Sequence, residues 1–215
     1  PLFAYGYGLT YQDSINMSAL SEKTTPRKNV KSNAQPLFVR SLAKNLTWKL
    51  ADSTTAHVLT TGSSATSGDK KSLLMQSVNL SYQEDARQFS WPSQFANATL
   101  SLSYLKPELL DSKFNNAYLE LKLRLDKAPE QDTKLQLMCN ESNCLRSIKF
   151  SSLNKVMSDK RWHTLAIPLN CNDGDVSAEI TDVLRVTSRN LRLAIADVTL
   201  TKKPDNNASK LSCAN

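Results

Sequence analysis

Glycine is scarce in this chain: Gly6, Gly8, Gly62, Gly68 and Gly174 are the only five in 215 residues, so neither a G-x-G-x-x-G fingerprint nor a P-loop can be assembled. Histidine is scarcer still, and only His57 and His163 are available as the base that a serine or cysteine nucleophile requires. His163, in RWHTLAIPL, shares the inward parity of Leu165 and Ile167 and reads as a structural residue of a strand. His57, in TAHVLTT, has no better claim. The 20 acidic residues show no spacing that selects the carboxylate pair a glycosidase holds across its cleft. No apolar run approaches the roughly 20 residues that cross a bilayer, so no membrane span is expected. A basic-then-apolar leader is missing as well, and a start at Pro1 reads as that of a mature or excised piece. Tight clusters of one charge sign are confined to two polar stretches, Lys23 to Lys31 and Lys202 to Lys210. The net charge of +7 is therefore spread over a solvated surface, and no nucleic-acid partner is expected.

What is present is a balanced, foldable composition, 40% hydrophobic and 22% charged, enough for one sizeable core. The four cysteines, Cys139, Cys144, Cys171 and Cys213, fit no zinc spacing, because no second close pair or nearby histidine follows Cys139 and Cys144. Disulfides in an exported protein of the periplasm, cell envelope or medium are the better reading. Of the three possible pairings, Cys144 with Cys171 and Cys139 with Cys213 is favoured. The loop after Cys171 reads NDGD, and Asp173 and Asp175 beside Gly174 form a weak calcium candidate whose plainer reading is a turn. No other cofactor is expected.

From Pro36 onward the dominant signal is period two. Leu119, Leu121, Leu123 and Leu125 alternate with charged residues, and Leu100 and Leu102 alternate with Ser101 and Ser103. Similar segments lie at 37–42, 46–50, 57–60, 74–82, 135–139, 165–171 and 191–200, and helical periodicity is confined to a short turn near Ser152 to Met157. Many short alternating strands bury one face each by pairing two sheets, so the predicted fold is an all-β, antiparallel β-sandwich of jelly-roll type. Leu191, Leu193 and Ile195 have one parity and Val198 and Leu200 the other, which predicts a β-bulge at Ala196-Asp197 that turns both sets to the core. The polar segment 12–35 reads as a linker, 36–202 as the sandwich, and 203–215 as a tail.

Two stretches suggest binding. In QEDARQFSW, Asp85, Arg87, Phe89 and Trp91 share one side of a strand, a row able to hydrogen-bond a sugar while a ring stacks on its apolar face; the competing reading puts both rings in the core and pairs Asp85 with Arg87 at a rim. Trp162 opposes the parity of the apolar row after it, and so either packs near the Cys171 loop or stands as an exposed platform. Trp48 is ambiguous in the same way.

The opening PLFAYGYGLTY closely resembles the segment that ends the second, α/β-sandwich domain of glycoside hydrolase family 3 enzymes, which assigns residues 1–11 to the tail of a preceding catalytic domain. The stretches QEDARQFSW, RWHTLAIPLNC and NLRLAIADVTL are similar to strands of the C-terminal galactose-binding-like, carbohydrate-binding-module-like domain of bacterial exo-1,3/1,4-β-glucanases of that family. The resemblance implies that Asp85, Ala86, Arg87, Trp91, Trp162, Pro168 and Cys171 occupy matching positions. It also implies that the nucleophilic Asp and acid/base Glu lie upstream, leaving this chain non-catalytic, and that the parent is a retaining enzyme releasing glucose from β-glucans. Three roles follow: an ancillary domain packed on the catalytic domains and shaping the substrate entrance, an independent β-glucan-binding module, or a purely structural or assembly domain.

Overall fold

The structure, a computed structural model, describes residues 33–52, 57–67, 72–81, 84–94, 96–109, 116–129, 133–139, 146–169 and 179–211. The expectations for PLFAYGYGLTY, most of the linker, Asp173, Asp175, Cys144, Cys171 and Cys213 lie outside these residues, as does the side chain of Cys139.

In chain order the strands are β1 (Ala34–Val39), β2 (Ser41–Leu42), β3 (Leu46–Asp52), β4 (His57–Thr60), β5 (Ala65–Thr66), β6 (Leu74–Val78), β7 (Ala86–Ser90) and β8 (Ala98–Leu109). They continue with β9 (Tyr118–Lys127), β10 (Lys134–Cys139), β11 (Arg146–Lys149), β12 (His163–Pro168), β13 (Glu179–Ser188), β14 (Arg192–Thr201) and β15 (Ser209–Lys210). Among the described residues one helix, α1 (Phe150–Met157), follows β11. Two sheets form the sandwich. The larger runs β15-β12-β9-β14-β7-β6-β5, with β1 and β2 joined to β14, and the smaller runs β11-β10-β13-β8-β3-β4. Within the described residues the pairings are antiparallel except for β12 with β15.

Strict alternation builds the centre of the larger sheet. In β9, Leu119, Leu121, Leu123 and Leu125 point inward and are buried, while Glu120, Lys122, Arg124 and Asp126 point outward. Across the core, β3 offers Leu46, Trp48 and Leu50, and β8 offers Leu100 and Leu102. Trp48 resolves as a core residue that joins the two sheets. Its ring meets Phe38 of β1 edge-on at 5.4 Å and Phe89 of β7 at 4.9 Å, both within the favourable range for aromatic pairs. The helix closes the space beside β11 with Phe150, Leu153 and Met157, whose helical spacing places all three inward. An apolar void of about 10 Å³ between Leu119, Leu135, Leu137, Ile148, Ile167 and Leu169 is near the lower limit for a water and offers no polar partner to one.

The bulge foreseen in β14 is present. Ile195 faces Leu123 and Asp197 faces Lys122, so Ala196 is an extra residue against β9. On its other edge β14 changes partner at the same point, pairing with β7 through Ile195 and with β1 from Asp197 onward. The added twist there lets Leu193, Ile195, Val198 and Leu200 all reach the core. Two features depart from expectation. Residues 179–188 form a ten-residue strand although no alternation announced it, because β13 is irregular on both sides of Asp182 and buries that carboxylate mid-strand. The segment expected as a tail contributes β15, and Leu211 donates its N–H to the Ala166 carbonyl at 3.0 Å.

Candidate functional site

The DAR-x-x-x-W stretch is a structural latch. Asp85 is 1% exposed, and its carboxylate accepts from the Leu80 N–H at 2.6 Å and the Ser81 N–H at 3.2 Å, closing the turn between β6 and β7. Asn79 assists by accepting from the Glu84 N–H at 2.7 Å, which steadies Glu84 in a left-handed conformation, φ 58°. Ala86 is fully buried. Arg87 folds back to donate to the Glu84 and Ala86 carbonyls at 3.0 Å each, and its guanidinium lies 5.7 Å from the Phe38 ring centre. Burial lowers its pKa, an effect the nearby Glu84 carboxylate opposes. Trp91 is 1% exposed and donates from Nε1 to the Ala98 carbonyl at 2.9 Å. Asp85, Arg87 and Trp91 are thus buried and held by partners within the protein. Sequence parity grouped them correctly on one side of a strand, and the side they share is the interior.

Trp162 is placed differently. It precedes β12, and since His163 faces Leu123 in the ladder, Trp162 comes next to Arg124 on the outer face of the larger sheet. The ring is half-buried, with the Arg124 guanidinium stacked 4.9 Å from its centre. Arg124 is held in turn by Asp126, through Nε to Oδ1 at 2.7 Å and Nη2 to Oδ2 at 3.1 Å. Gln88 of β7 donates from Nε2 to Asp126 Oδ2 at 2.7 Å, and Gln76 of β6 donates from Nε2 to Gln88 Oε1 at 2.7 Å.

The registers explain how side chains from separate strands meet. Gln76 faces Gln88, Gln88 faces Ala194, and Ala194 faces Arg124, a single row perpendicular to the strands. Ala194 is the small residue in the middle, fully buried although it points to the outer face, because Gln88 and Asp126 join hands across it. With strands about 4.8 Å apart, the row from Gln76 to Trp162 covers four spacings, roughly 19 Å. Sequence reading assigned Arg124 and its neighbours to a solvated strand face and singled out only Trp162; Gln76, Gln88 and Asp126 become recognisable once β14 is known to separate β7 from β9.

His163, whose ladder partner is the inward Leu123, lies with Nε2 2.6 Å from Asp159 Oδ1. That contact, followed by the Arg161 backbone N–H, holds the Asp159 carboxyl below its ordinary range. Among the described residues no group of three His, Cys, Asp or Glu side chains is arranged to hold a metal, and no helix is long and apolar enough to cross a membrane.

With this geometry in place, the similarities to known proteins can be read. Residues 47–200 match the Exop_C family model, described as galactose-binding domain-like. The chain is similar to the extra C-terminal domain (X) of exo-1,3/1,4-β-glucanase (ExoP) from a Pseudoalteromonas species, at 64% identity and a TM-score of 0.76, covering 84% of this chain and 99% of that one. It is also similar to the whole ExoP chain from the same organism, at 65% identity and a TM-score of 0.78, where 99% of this chain corresponds to 25% of that one. A family 30 carbohydrate-binding module shares the fold at 16% identity and a TM-score of 0.53, covering 79% of this chain and 99% of the module. No curated protein matches the chain.

Proposed function

The chain belongs to the galactose-binding-like Exop_C family, and from that premise we propose that it is the non-catalytic, ancillary C-terminal domain of an exported family 3 β-glucan exohydrolase. The observation that carries this reading is the 65% identity over 99% of this chain with one quarter of an exo-1,3/1,4-β-glucanase. Such identity along the whole length favours the same covalent context, in which the catalytic Asp and Glu of a retaining mechanism come from domains upstream. The domain then packs on those domains and borders the substrate entrance. Exposed Leu59, Leu105 and Leu109 support docking, since large apolar side chains left in water are the kind an interdomain contact covers.

The test compares the parent enzyme, the parent truncated before Ser32, and the 215-residue chain alone, on laminari- and cello-oligosaccharides. The chain alone is expected to release no glucose, and truncation to lower the parent's kcat/KM or its resistance to heat. Glucose release by the isolated chain, or a truncated enzyme indistinguishable in both rate and melting, contradicts the proposal.

A further inference from the structure

Resting on that reading, we propose that the outer row Gln76, Gln88, Arg124, Asp126 and Trp162 is a binding face for a neutral β-linked glucan chain, lying across the strands of the larger sheet. Three properties of the row point to this ligand. Its polar groups are planar amides, a carboxylate and a guanidinium, whose paired donors and acceptors match the neighbouring equatorial hydroxyls of a β-glucose unit. Trp162, at the end of the row and half-buried, carries Arg124 over its ring and offers the part of the indole that remains exposed to the apolar side of a pyranose. The row is also electrically matched within itself, because Asp126 neutralises Arg124 by a two-point contact. That balance suits a neutral polyol and gives an anionic polymer no net attraction.

The internal hydrogen bonds have a further consequence. Surface ion pairs add little to stability, so linking four polar side chains across β6, β7 and β9 is weakly accounted for by folding alone. As a binding surface the same links are useful: Gln76, Gln88 and Arg124 are already held in place, so a ligand orders few side chains on arrival. Each of the three keeps donor capacity beyond the bonds made within the row. The length of roughly 19 Å fits an oligosaccharide better than a single sugar. The buried Ala194 keeps the floor flat, and any larger side chain there would lift Gln88 from Asp126.

The experiment is a titration of the 215-residue chain with laminarihexaose and with cellohexaose, followed by amide and side-chain NMR shifts and by calorimetry, with maltohexaose as the α-linked control. Saturable shifts are expected at the Trp162 indole and the Gln76 and Gln88 side-chain amides. Trp162→Ala and Gln88→Ala should each weaken binding about tenfold, while Lys49→Ala on the other sheet leaves it unchanged. Both variants are on the solvent face, and unchanged thermal melts establish that they fold; shift mapping on the wild type decides the matter independently. No saturable shift with either β-glucan at about 10 mM, shifts confined elsewhere, or wild-type affinity in both variants overturns the proposal. Row residues that respond to the catalytic part of the parent and not to glucan overturn it too, by making the row a docking surface. In each of those cases an effect of truncation on the parent still upholds the ancillary role, so the two readings fail separately.

Discussion

Replacing Asp85 by alanine separates a structural latch from a sugar contact. The wild-type carboxylate accepts from the Leu80 and Ser81 N–H groups at 2.6 and 3.2 Å. Hydrogen bonds to a charged group contribute about 1.5–3 kcal/mol each, which sets a gross loss of about 3–6 kcal/mol. Two effects reduce it. Leu80 is half-buried and Ser81 exposed, so water recovers part of both bonds, and removing a carboxylate that is 1% exposed also removes its desolvation cost. A net loss of about 2–3 kcal/mol remains. For a chain of this length each kcal/mol lowers Tm by about 2–4 °C, so the midpoint should fall by about 4–12 °C. Asp85→Asn keeps one acceptor oxygen and should lose about half as much. Urea and thermal unfolding followed by circular dichroism measure both, with an unchanged m-value showing that only stability moved. A loss below about 0.5 kcal/mol for Asp85→Ala would refute the latch, and a loss of glucan affinity without a loss of stability would return Asp85 to the binding surface.

Trp91→Phe removes the bond from Nε1 to the Ala98 carbonyl at 2.9 Å and opens a small void, so it should destabilise by about 1–3 kcal/mol in urea titration while leaving glucan affinity unchanged. Deleting Ala196 abolishes the bulge and turns Val198 and Leu200 to solvent, which forfeits about 3–6 kcal/mol of burial, comparable with the whole stability of a domain; soluble yield and a cooperative melt should both be lost. Burial first, and then the Glu108 carboxylate, raise the Tyr104 pKa from 10.0 to about 12. The folded state therefore holds this proton more tightly than the unfolded chain, so the stabilisation is complete below pH 10.0 and declines as pH rises toward about 12. Absorbance of tyrosinate should show one phenol titrating late, and Tyr104→Phe should remove both that phase and the extra alkaline loss of stability.

How much of this was readable in the sequence follows from how local each feature is. The alternation of β9 and the parity change in β14 are properties of adjacent residues, so the sandwich and its bulge could both be inferred from the order of side chains. β13 escaped because Asp182 occupies a buried place where an apolar residue would have signalled a strand; it is satisfied there by Ser103 at 2.7 Å and by Arg185, partners 79 and 3 positions away. The QEDARQFSW row was correctly placed on one side of a strand, but which side depends on neighbours contributed by β6, β14 and β1. The outer row was the least readable, since Gln76, Gln88 and Arg124 lie far apart in the chain and meet only through the registers of β6, β7, β14 and β9. Trp162 alone gave a local hint, through its parity.

The proposed role, an ancillary domain of a β-glucan exohydrolase packed on its catalytic domains, is tested most directly by scanning calorimetry of the parent enzyme with and without the segment from Ser32 to Asn215. If the domain packs on the catalytic part, the transition of that part moves to lower temperature when the domain is removed, because the apolar surface buried between them is exposed. An unchanged catalytic transition, with the domain melting as an independent unit in the intact enzyme, would contradict it.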